Sequence, residues 1–213
     1  HSKVNTILVV TWTQVKAADN VWLKYTFEND EWFESPVKSG ETGEHQELVL
    51  GIPEQTDVTI NIVVEQGGEQ ALSSPYQGTT EAVPISMPRP TVESYDPAIA
   101  SANKWLLGSV DDTPAAEENY SGPFWIYIID RAGRIVWYYS DIADNPIIGF
   151  PRISRDNRYI FFGNRRPWEN AQGFVITAVK MTLDWEYFEE IQLNLWDNVD
   201  MTDSGSLLYN SRP

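Results

Sequence analysis

The 213-residue sequence has no cysteine, only two histidines and no long apolar run. Without cysteine the chain cannot form a disulfide, a zinc–thiolate site or a thiol nucleophile, although this does not decide its compartment. No run approaches the roughly 18–20 apolar residues that a membrane-spanning helix needs, so we expect no membrane span. The motifs of phosphate-binding loops, GxSxG hydrolases and HExxH metalloproteases are absent too. The sequence therefore excludes enzymes with a thiol nucleophile and lacks the signatures of P-loop, GxSxG and HExxH enzymes.

Positive charge is also scarce. The chain has 15 Lys and Arg residues against 31 Asp and Glu residues, which gives a formal net charge of -16. A field of this sign repels phosphate backbones, so nucleic acid is not an expected partner. Solubility or a saline habitat accounts for such a charge without any specific cationic partner.

Aromatic and β-branched residues, by contrast, are abundant and are arranged as short strands. Nine Trp and ten Tyr residues favour pleated, half-buried surfaces. Near the start of the chain, four segments alternate as strands do, with turn-forming clusters between them: TILVVTW, VWLKYTF, ELVLGIP and VTINIVVE. Short strands at this spacing, with no helical pattern between them, predict an all-β fold built as a sandwich or barrel.

The residues of this first segment also resemble a known family. Trp12 and Tyr25 on the strand patterns, HQELVLGIPEQTDV from His45 to Val58, and the closing SSPYQGTTEAVP make residues 1–84 resemble a fibronectin type III domain. The resemblance implies an immunoglobulin-like β-sandwich. Val58 stands where that family often has a corner tyrosine, so we expect the tyrosine's corner hydrogen bond to be missing.

A proline-rich stretch, PISMPRP, follows this segment. Its three prolines remove backbone donors and stiffen the chain, so neither a helix nor a central strand can run through it. We predict a linker at residues 85–90 between a first domain at 1–84 and a second at 91–213. The acidic, turn-rich segment Asp111 to Pro123 predicts a surface loop.

The second domain contains a weak internal repeat. IIDRAGRIVWYY and RISRDNRYIFFG are two hairpin patterns, and similar patterns recur as MTLDWEYFEEIQ and DMTDSGSLLYNS. A period of about 50 residues with four strands per unit is typical of β-propeller blades. Residues 91–213 therefore predict about two four-stranded blades of a partial propeller. We expect the remainder of the same polypeptide or a second subunit to complete the ring, because a single blade cannot cover its own apolar faces.

The residues of these motifs resemble one propeller family in particular. FWIYIIDRAGRIVWYYSD, PRISRDNRYIFFGN and KMTLDWEYFEEIQL make residues 88–213 resemble the start of an arylsulfotransferase-like propeller. In that family a secreted or periplasmic propeller often follows a small β-sandwich, which implies an extracytoplasmic location here. Its members transfer sulfate through a histidine nucleophile. Both histidines of this chain, His1 and His45, precede the propeller, so no catalytic residue is assigned.

Candidate ligand-binding residues remain in the second domain. A cationic group in this acidic chain includes Arg152, Arg155, Arg165 and Arg166, and arginine forks bind sulfate and phosphate well. The alternative is that these arginines pair with nearby carboxylates. Trp168 and Trp196 could stack on sugars or aryl ligands, or could instead pack between blades.

Metal sites are weaker candidates still. DNVDMTDSG contains Asp197, Asp200 and Asp203, whose oxygens suit calcium, but the same residues also form ordinary hairpin turns. His1 and His45 could form a copper brace, or His1 could be a processing remnant and His45 an ordinary strand residue. Apart from the possible calcium, we expect no cofactor.

Three functions are consistent with this pattern. The first is a non-catalytic structural or interaction segment of a secreted arylsulfotransferase-like protein. The second is the N-terminal part of an aryl-sulfate sulfotransferase whose catalytic histidine lies outside this chain. The third is a carbohydrate- or matrix-binding module that uses the loop tryptophans.

Overall fold

The computed structural model describes residues 3–28, 31–99, 103–111, 123–140, 147–154, 158–167, 174–192, 195–202 and 206–211. These residues form β-strands and no helix, which confirms the all-β prediction. In the described ranges there is accordingly no helix long and apolar enough to cross a membrane. The chain divides into two compact units, His1–Val83 and Pro84–Pro213.

The first unit contains eight strands in two sheets. Three of the four segments that alternate in the sequence lie largely within strands of this unit, whereas ELVLGIP contributes only its first three residues to a strand. The strands are β1 (Leu8–Gln14), β2 (Ala18–Thr26), β3 (Trp32–Glu34), β4 (Lys38–Gly40), β5 (Gly43–Val49), β6 (Asp57–Gln66), β7 (Glu69–Leu72) and β8 (Tyr76–Thr79). One sheet pairs β1 with β5, and the other has the order β3-β2-β6-β7, with β4 also on β2 and β8 also on β6. All of these pairs are antiparallel.

One hydrophobic core draws side chains from both sheets. Along β2 and β6, every second residue is a buried apolar one that faces this core. On the opposite face Trp22 and Val63, which lie opposite each other in the pairing of the two strands, are buried as well. The buried members are Val21, Leu23, Tyr25, Val49, Ile52, Val58, Ile60 and Ile62, and the half-buried Leu8, Val10 and Trp12 of β1 pack against them. The core side chains of β2 and β6 are therefore more completely buried than those of β1.

A tyrosine hydroxyl does bond to the backbone at the corner after β5, but it comes from β2. Val58 is fully buried, and the Tyr25 hydroxyl donates to the carbonyl oxygen of Leu50 at 3.0 Å. Burial raises the pKa of Tyr25 to about 12, since the charged form would lose its hydration. No tyrosine stands at the corner position itself, where the chain has Val58, and the hydroxyl that reaches this corner comes instead from a residue distant in sequence, across the core.

The described residues of the second unit form nine strands in three antiparallel sheets. The strands are β9 (Trp105–Asp111), β10 (Phe124–Asp130), β11 (Ile135–Tyr139), β12 (Ile147–Ile153), β13 (Ile160–Pro167), β14 (Phe174–Met181), β15 (Phe188–Gln192), β16 (Leu195–Met201) and β17 (Leu207–Ser211). The sheet orders are β11-β10-β9, β12-β13-β14-β15 and β16-β17. Residues 112–122 of the predicted acidic loop lie outside the described ranges.

The four hairpins of the sequence repeat share one turn device. In each, the backbone N–H of the residue that opens the turn donates to the carbonyl oxygen of the residue that closes it. The side-chain oxygen of the opening residue accepts the backbone N–H of the closing residue. The opening and closing pairs are Asp130 and Arg134 at 2.9 Å, Ser154 and Tyr159 at 3.0 Å, Thr182 and Tyr187 at 3.0 Å, and Thr202 and Ser206 at 3.1 Å. Short oxygen-bearing side chains suit this position because they can accept from a nearby backbone N–H.

The sheets group these hairpins differently from the sequence repeat. The four-stranded sheet joins the second and third hairpins through the pairing of β13 with β14, for example Ile160 with Met181. The first hairpin belongs to the preceding three-stranded sheet, and the fourth forms the two-stranded sheet. A repeat of hairpins does not reveal which hairpins share a sheet, because that depends on pairing between them.

Candidate functional site

The surface that joins the first two sheets of the second unit is built from aromatic rings. Tyr139 of β11 contacts Phe162 of β13 with ring centroids 5.1 Å apart, and Phe188 of β15 at 6.4 Å. Tyr138 lies edge-on to Trp125 at 6.2 Å. Phe162 and Trp125 are almost completely buried. Edge-to-face and tilted pairs at these distances are favourable beyond their burial, so this contact is a specific interface rather than a loose one.

One turn of the four-stranded sheet also reaches back to the first hairpin. The indole N–H of Trp137 donates to the carbonyl oxygen of Leu183 at 2.6 Å. Trp185 in the same turn packs on Tyr139 at 5.1 Å and adopts a φ of 59°. Its counterpart in the first hairpin is Gly133, with a φ of 83°. A tryptophan in the left-handed region is uncommon, so its ring contacts hold it where the first hairpin has glycine.

The third sheet offers a surface that is only partly covered. β16 contacts β12, β13 and β14 of the four-stranded sheet. On β17, however, Leu208 remains 63% exposed. Within the described residues β17 pairs with β16 alone. Its other edge is therefore open to pairing with a further strand.

β12 carries a strained, exposed segment. The pairing of β12 with β13 shifts between Gly149 and Arg152, as at a β-bulge. Phe150 inside this bulge has a φ of 56° and is 52% exposed. The Arg152 guanidinium donates to the carbonyl oxygen of Pro151 at 3.0 Å. Bulges often redirect side chains beside binding sites. Among the candidate arginines that the structure describes, Arg152 at this bulge therefore has the local structure most typical of an anion-binding residue.

The structure brings some of the candidate arginines onto neighbouring strands but does not gather them at one point. Arg152 lies on β12 opposite Phe161, whereas Arg165 lies opposite Ile147. Phe161 and Arg165 are four positions apart on β13, or about 13 Å of strand. For Arg165 and Arg166 the structure describes the backbone in β13, and Arg155 lies outside the described residues. Anion binding by this group stays a prediction.

Ligand stacking by the two candidate tryptophans stays a prediction. Trp168 lies outside the described residues, and Trp196 lies in β16, where the backbone alone is described. The sequence predicts a loop around Trp196, but this segment forms a strand paired with β17.

The calcium candidates also fall partly on this strand. Asp197 and Asp200 lie in β16 rather than in a turn, and Asp203 lies outside the described residues. Asp200 is exposed. Among the residues that the structure describes, no three His, Asp or Glu side chains come together in a way that could hold a metal ion. A strand presents successive side chains to opposite faces, so it is a poorer frame for one cation than the predicted turn.

His45 is part of a structural pair. It lies opposite Trp12 in the pairing of β1 with β5, and the two rings stack with centroids 5.1 Å apart and planes inclined by 12°. Its Nε2 lies 2.7 Å from the carbonyl oxygen of Glu41. His1, the other half of the copper hypothesis, lies outside the described residues. His45 therefore already has partners for one ring face and one ring nitrogen.

Sequence reasoning missed one surface cluster. Lys180 Nζ lies 4.2 Å from the ring centroid of Tyr159 and 5.4 Å from that of Tyr187. The Tyr187 hydroxyl donates to Glu189, and this hydrogen bond raises the pKa of Tyr187. The register of β13, β14 and β15 places these side chains together, and no linear motif signals it. The lysine already occupies the aromatic faces, so the cluster is self-contained.

Comparison of the chain with known protein families, with curated proteins and with solved structures gives no match. The functional argument therefore depends on the geometry described above.

Proposed function

We propose that this chain is a non-catalytic structural and interaction segment of a secreted or periplasmic, arylsulfotransferase-like protein. In this proposal the first unit is a fibronectin type III-like sandwich, and the second supplies the opening blades of a β-propeller. Further four-stranded sheets, from the same polypeptide or a second subunit, complete the ring.

The strand order of the first unit supports the sandwich. Immunoglobulin-like domains place strands B and E in one sheet and strands C, F and G in the other. Here β1 pairs with β5, while β2 and β6 form the centre of the other sheet with β7 and β8 beyond β6. β1 and β5 correspond to B and E, and β2, β6 and β7–β8 to C, F and G.

The observation that carries the propeller is the four-stranded meander β12-β13-β14-β15 between two similar but smaller sheets. The shared turn device relates β10–β11 to β14–β15 and β12–β13 to β16–β17. The first sheet then has the last three strands of a blade, the second has all four, and the third has the first two. Successive sheets contact each other through β12 and β16, as stacked blades do.

The state of the 213-residue chain in solution tests this proposal. Leu208 is 63% exposed, and a buried leucine is worth about 1.5–3 kcal/mol relative to an exposed one. We expect self-association at low micromolar concentration by sedimentation, and weaker self-association in a Leu208→Lys variant. Val15→Lys, at an 83% exposed position of the first unit, is the control and should change nothing. A cooperatively folding monomer of 24.3 kDa would overturn the propeller.

A second assay separates the segment from the enzyme hypothesis. Because neither histidine lies in the second unit, the isolated chain should transfer no sulfate from an aryl sulfate to a phenol. Turnover that persists after replacement of both His1 and His45 would contradict the non-catalytic proposal.

A further inference from the structure

Each strand of a sheet has two edges, and the edge of β9 that faces away from β10 is called its outer edge. This outer edge differs from the corresponding edge of the counterpart strand, β13. The turn device aligns Asp130 with Thr182, so β10 corresponds to β14 and the strands that precede them, β9 and β13, correspond as well. On β10, Ile129 pairs with Leu106 of β9. On β14, Met181 pairs with Ile160 of β13. Leu106 and Ile160 thus hold equivalent positions.

These two equivalent positions have opposite burial. Ile160 is 1% exposed, whereas Leu106 is 42% exposed. The two strands also differ in their neighbours, since β12 pairs with the outer edge of β13 and places Ile153 opposite Ile160. In the described part of the chain, β9 pairs only with β10. β9 therefore lacks the neighbouring strand that its counterpart has.

We propose that the outer edge of β9 is a docking site for one extended β-strand of the β12 type, donated by a further blade. This inference rests on the proposed function, because it treats the three-stranded sheet as a blade that lacks its first strand. Main-chain donors and acceptors along an open edge accept only an extended backbone, and the facing side chains then select its sequence.

The chain itself shows what that strand looks like. β12 ends in a charged and an aliphatic residue, Arg152 and Ile153, and is followed directly by the hydroxyl residue Ser154. β16 ends in the same way with Asp200 and Met201, followed by Thr202. In β12 the aliphatic residue lies opposite the first residue of its partner strand, Ile160. In β16, Met201 likewise lies opposite Leu207. The incoming strand should therefore place an aliphatic residue opposite Leu106 and be followed directly by a hydroxyl residue.

The absence of cysteine from the chain allows a register-specific test by disulfide formation. The probe is a synthetic peptide of residues 147–154 in which Ile153 is replaced by Cys. The 213-residue chain carries Leu106→Cys, and Leu208→Cys on β17 serves as the matched control. Cross-strand neighbours have Cβ atoms close enough for a disulfide, whereas a shift of one residue turns the side chain to the other face.

We expect the peptide to form a disulfide with the Leu106→Cys chain at least tenfold faster than with the Leu208→Cys chain. A peptide with Cys in place of Arg152 should react at least tenfold more slowly with Leu106→Cys. A peptide N-methylated along its backbone should not react above background, since it lacks the donors that strand pairing needs. Amide hydrogen exchange should show β9 becoming protected when the unmodified peptide is added to the unmodified chain.

Three outcomes would overturn the inference. They are equal rates for the two cysteine positions, equal rates for the N-methylated peptide, and disulfide-linked dimers of the Leu106→Cys chain that form faster than the peptide adduct. The last would assign the β9 edge to a second copy of the chain. If the peptide fails at β9 while the chain still self-associates through Leu208, only this inference falls. A cooperative monomer that takes up no peptide would remove the proposed function as well.

Discussion

The indole N–H of Trp137 donates a 2.6 Å hydrogen bond to the carbonyl oxygen of Leu183. This bond joins β11 to the turn between β14 and β15, and so links the three-stranded sheet to the four-stranded sheet. Trp137 is almost completely buried. The rings of Tyr138 and Tyr139 also pack against Trp185, which lies in the same turn.

Removal of this indole donor should weaken the contact between the sheets. Trp137→Phe keeps an aromatic ring but leaves the Leu183 carbonyl without its donor, which should destabilise the second unit by about 1–3 kcal/mol. Amide hydrogen exchange in β14 and β15 should accelerate accordingly. Trp105→Phe, at a 40% exposed position, is the control. Equal protection in the Trp137→Phe variant and the unmodified chain would show that the bond contributes nothing.

Alkaline pH should destabilise the first unit through Tyr25. Its pKa is about 12 in the folded chain against 10.0 ordinarily, so the unfolded chain releases this proton first as pH rises. The associated stability is fully present below pH 10 and is lost between about pH 10 and 12, by up to about 2–3 kcal/mol. Urea unfolding at pH 9 and pH 11.5 measures the loss. Tyr25→Phe cannot ionise, so its stability should fall less over the same interval, and a parallel fall would refute the assignment.

A methyl group at Gly108 should disturb β9. A Cβ there would lie 2.8 Å from the Tyr127 hydroxyl oxygen and 2.9 Å from its Cζ atom. Gly108→Ala should therefore destabilise the second unit by about 1–3 kcal/mol, as overpacking does. Gly149 has nothing within 4 Å of the corresponding position, so Gly149→Ala should have a much smaller effect. Thermal unfolding compares the two.

A double-mutant cycle tests whether contact with Tyr127 causes the destabilisation expected of Gly108→Ala. Tyr127→Leu removes the ring end that Gly108→Ala would meet, so the two changes together should cost less than the sum of their separate effects. Strict additivity would mean that the tyrosine is not what constrains Gly108.

The turn side chains should each stabilise their hairpin. Ser154→Ala removes the oxygen that accepts the Tyr159 N–H at 3.0 Å, and Thr182→Ala removes the corresponding acceptor for Tyr187. Each change should destabilise the second unit by about 0.5–1.5 kcal/mol. Thr182→Ser, which keeps the hydroxyl, is the matched control and should retain most of the stability. Loss of stability in Thr182→Ser equal to that in Thr182→Ala would point to the methyl group instead.

Limited proteolysis tests the division into two units. Ile85 is fully exposed in the proline-rich stretch, and we expect proteinase K to cut first between residues 84 and 91 or within 111–123. Mass spectrometry of the first fragments identifies the sites. First cuts within Tyr127 to Tyr139, whose strands are paired, would contradict two separately folded units.

Much of this architecture follows from local patterns. The alternation of TILVVTW, VWLKYTF and VTINIVVE is itself enough to predict strands, since only a pleated chain with one buried face requires it. The hairpins at Asp130, Ser154, Thr182 and Thr202 follow from turn residues whose short oxygen-bearing side chains complete the turn. The absence of cysteine and the confinement of both histidines, His1 and His45, to the first unit narrow the possible chemistry in the same way.

Other features depend on contacts between residues distant in sequence. The sequence shows that Val58, and not a tyrosine, stands at the corner. Only the folded core brings the Tyr25 hydroxyl to the Leu50 carbonyl. The repeat predicts four hairpins, but the pairing of β13 with β14 decides that the second and third share a sheet. The exposure of Leu106 against the burial of Ile160 likewise depends on whether a neighbouring strand is present. The sequence alone determined the all-β class and the positions of most strands and turns, because these depend on near neighbours. The tertiary structure decided sheet membership, the aromatic interface and the open edges, because side-chain burial depends on which strands become neighbours.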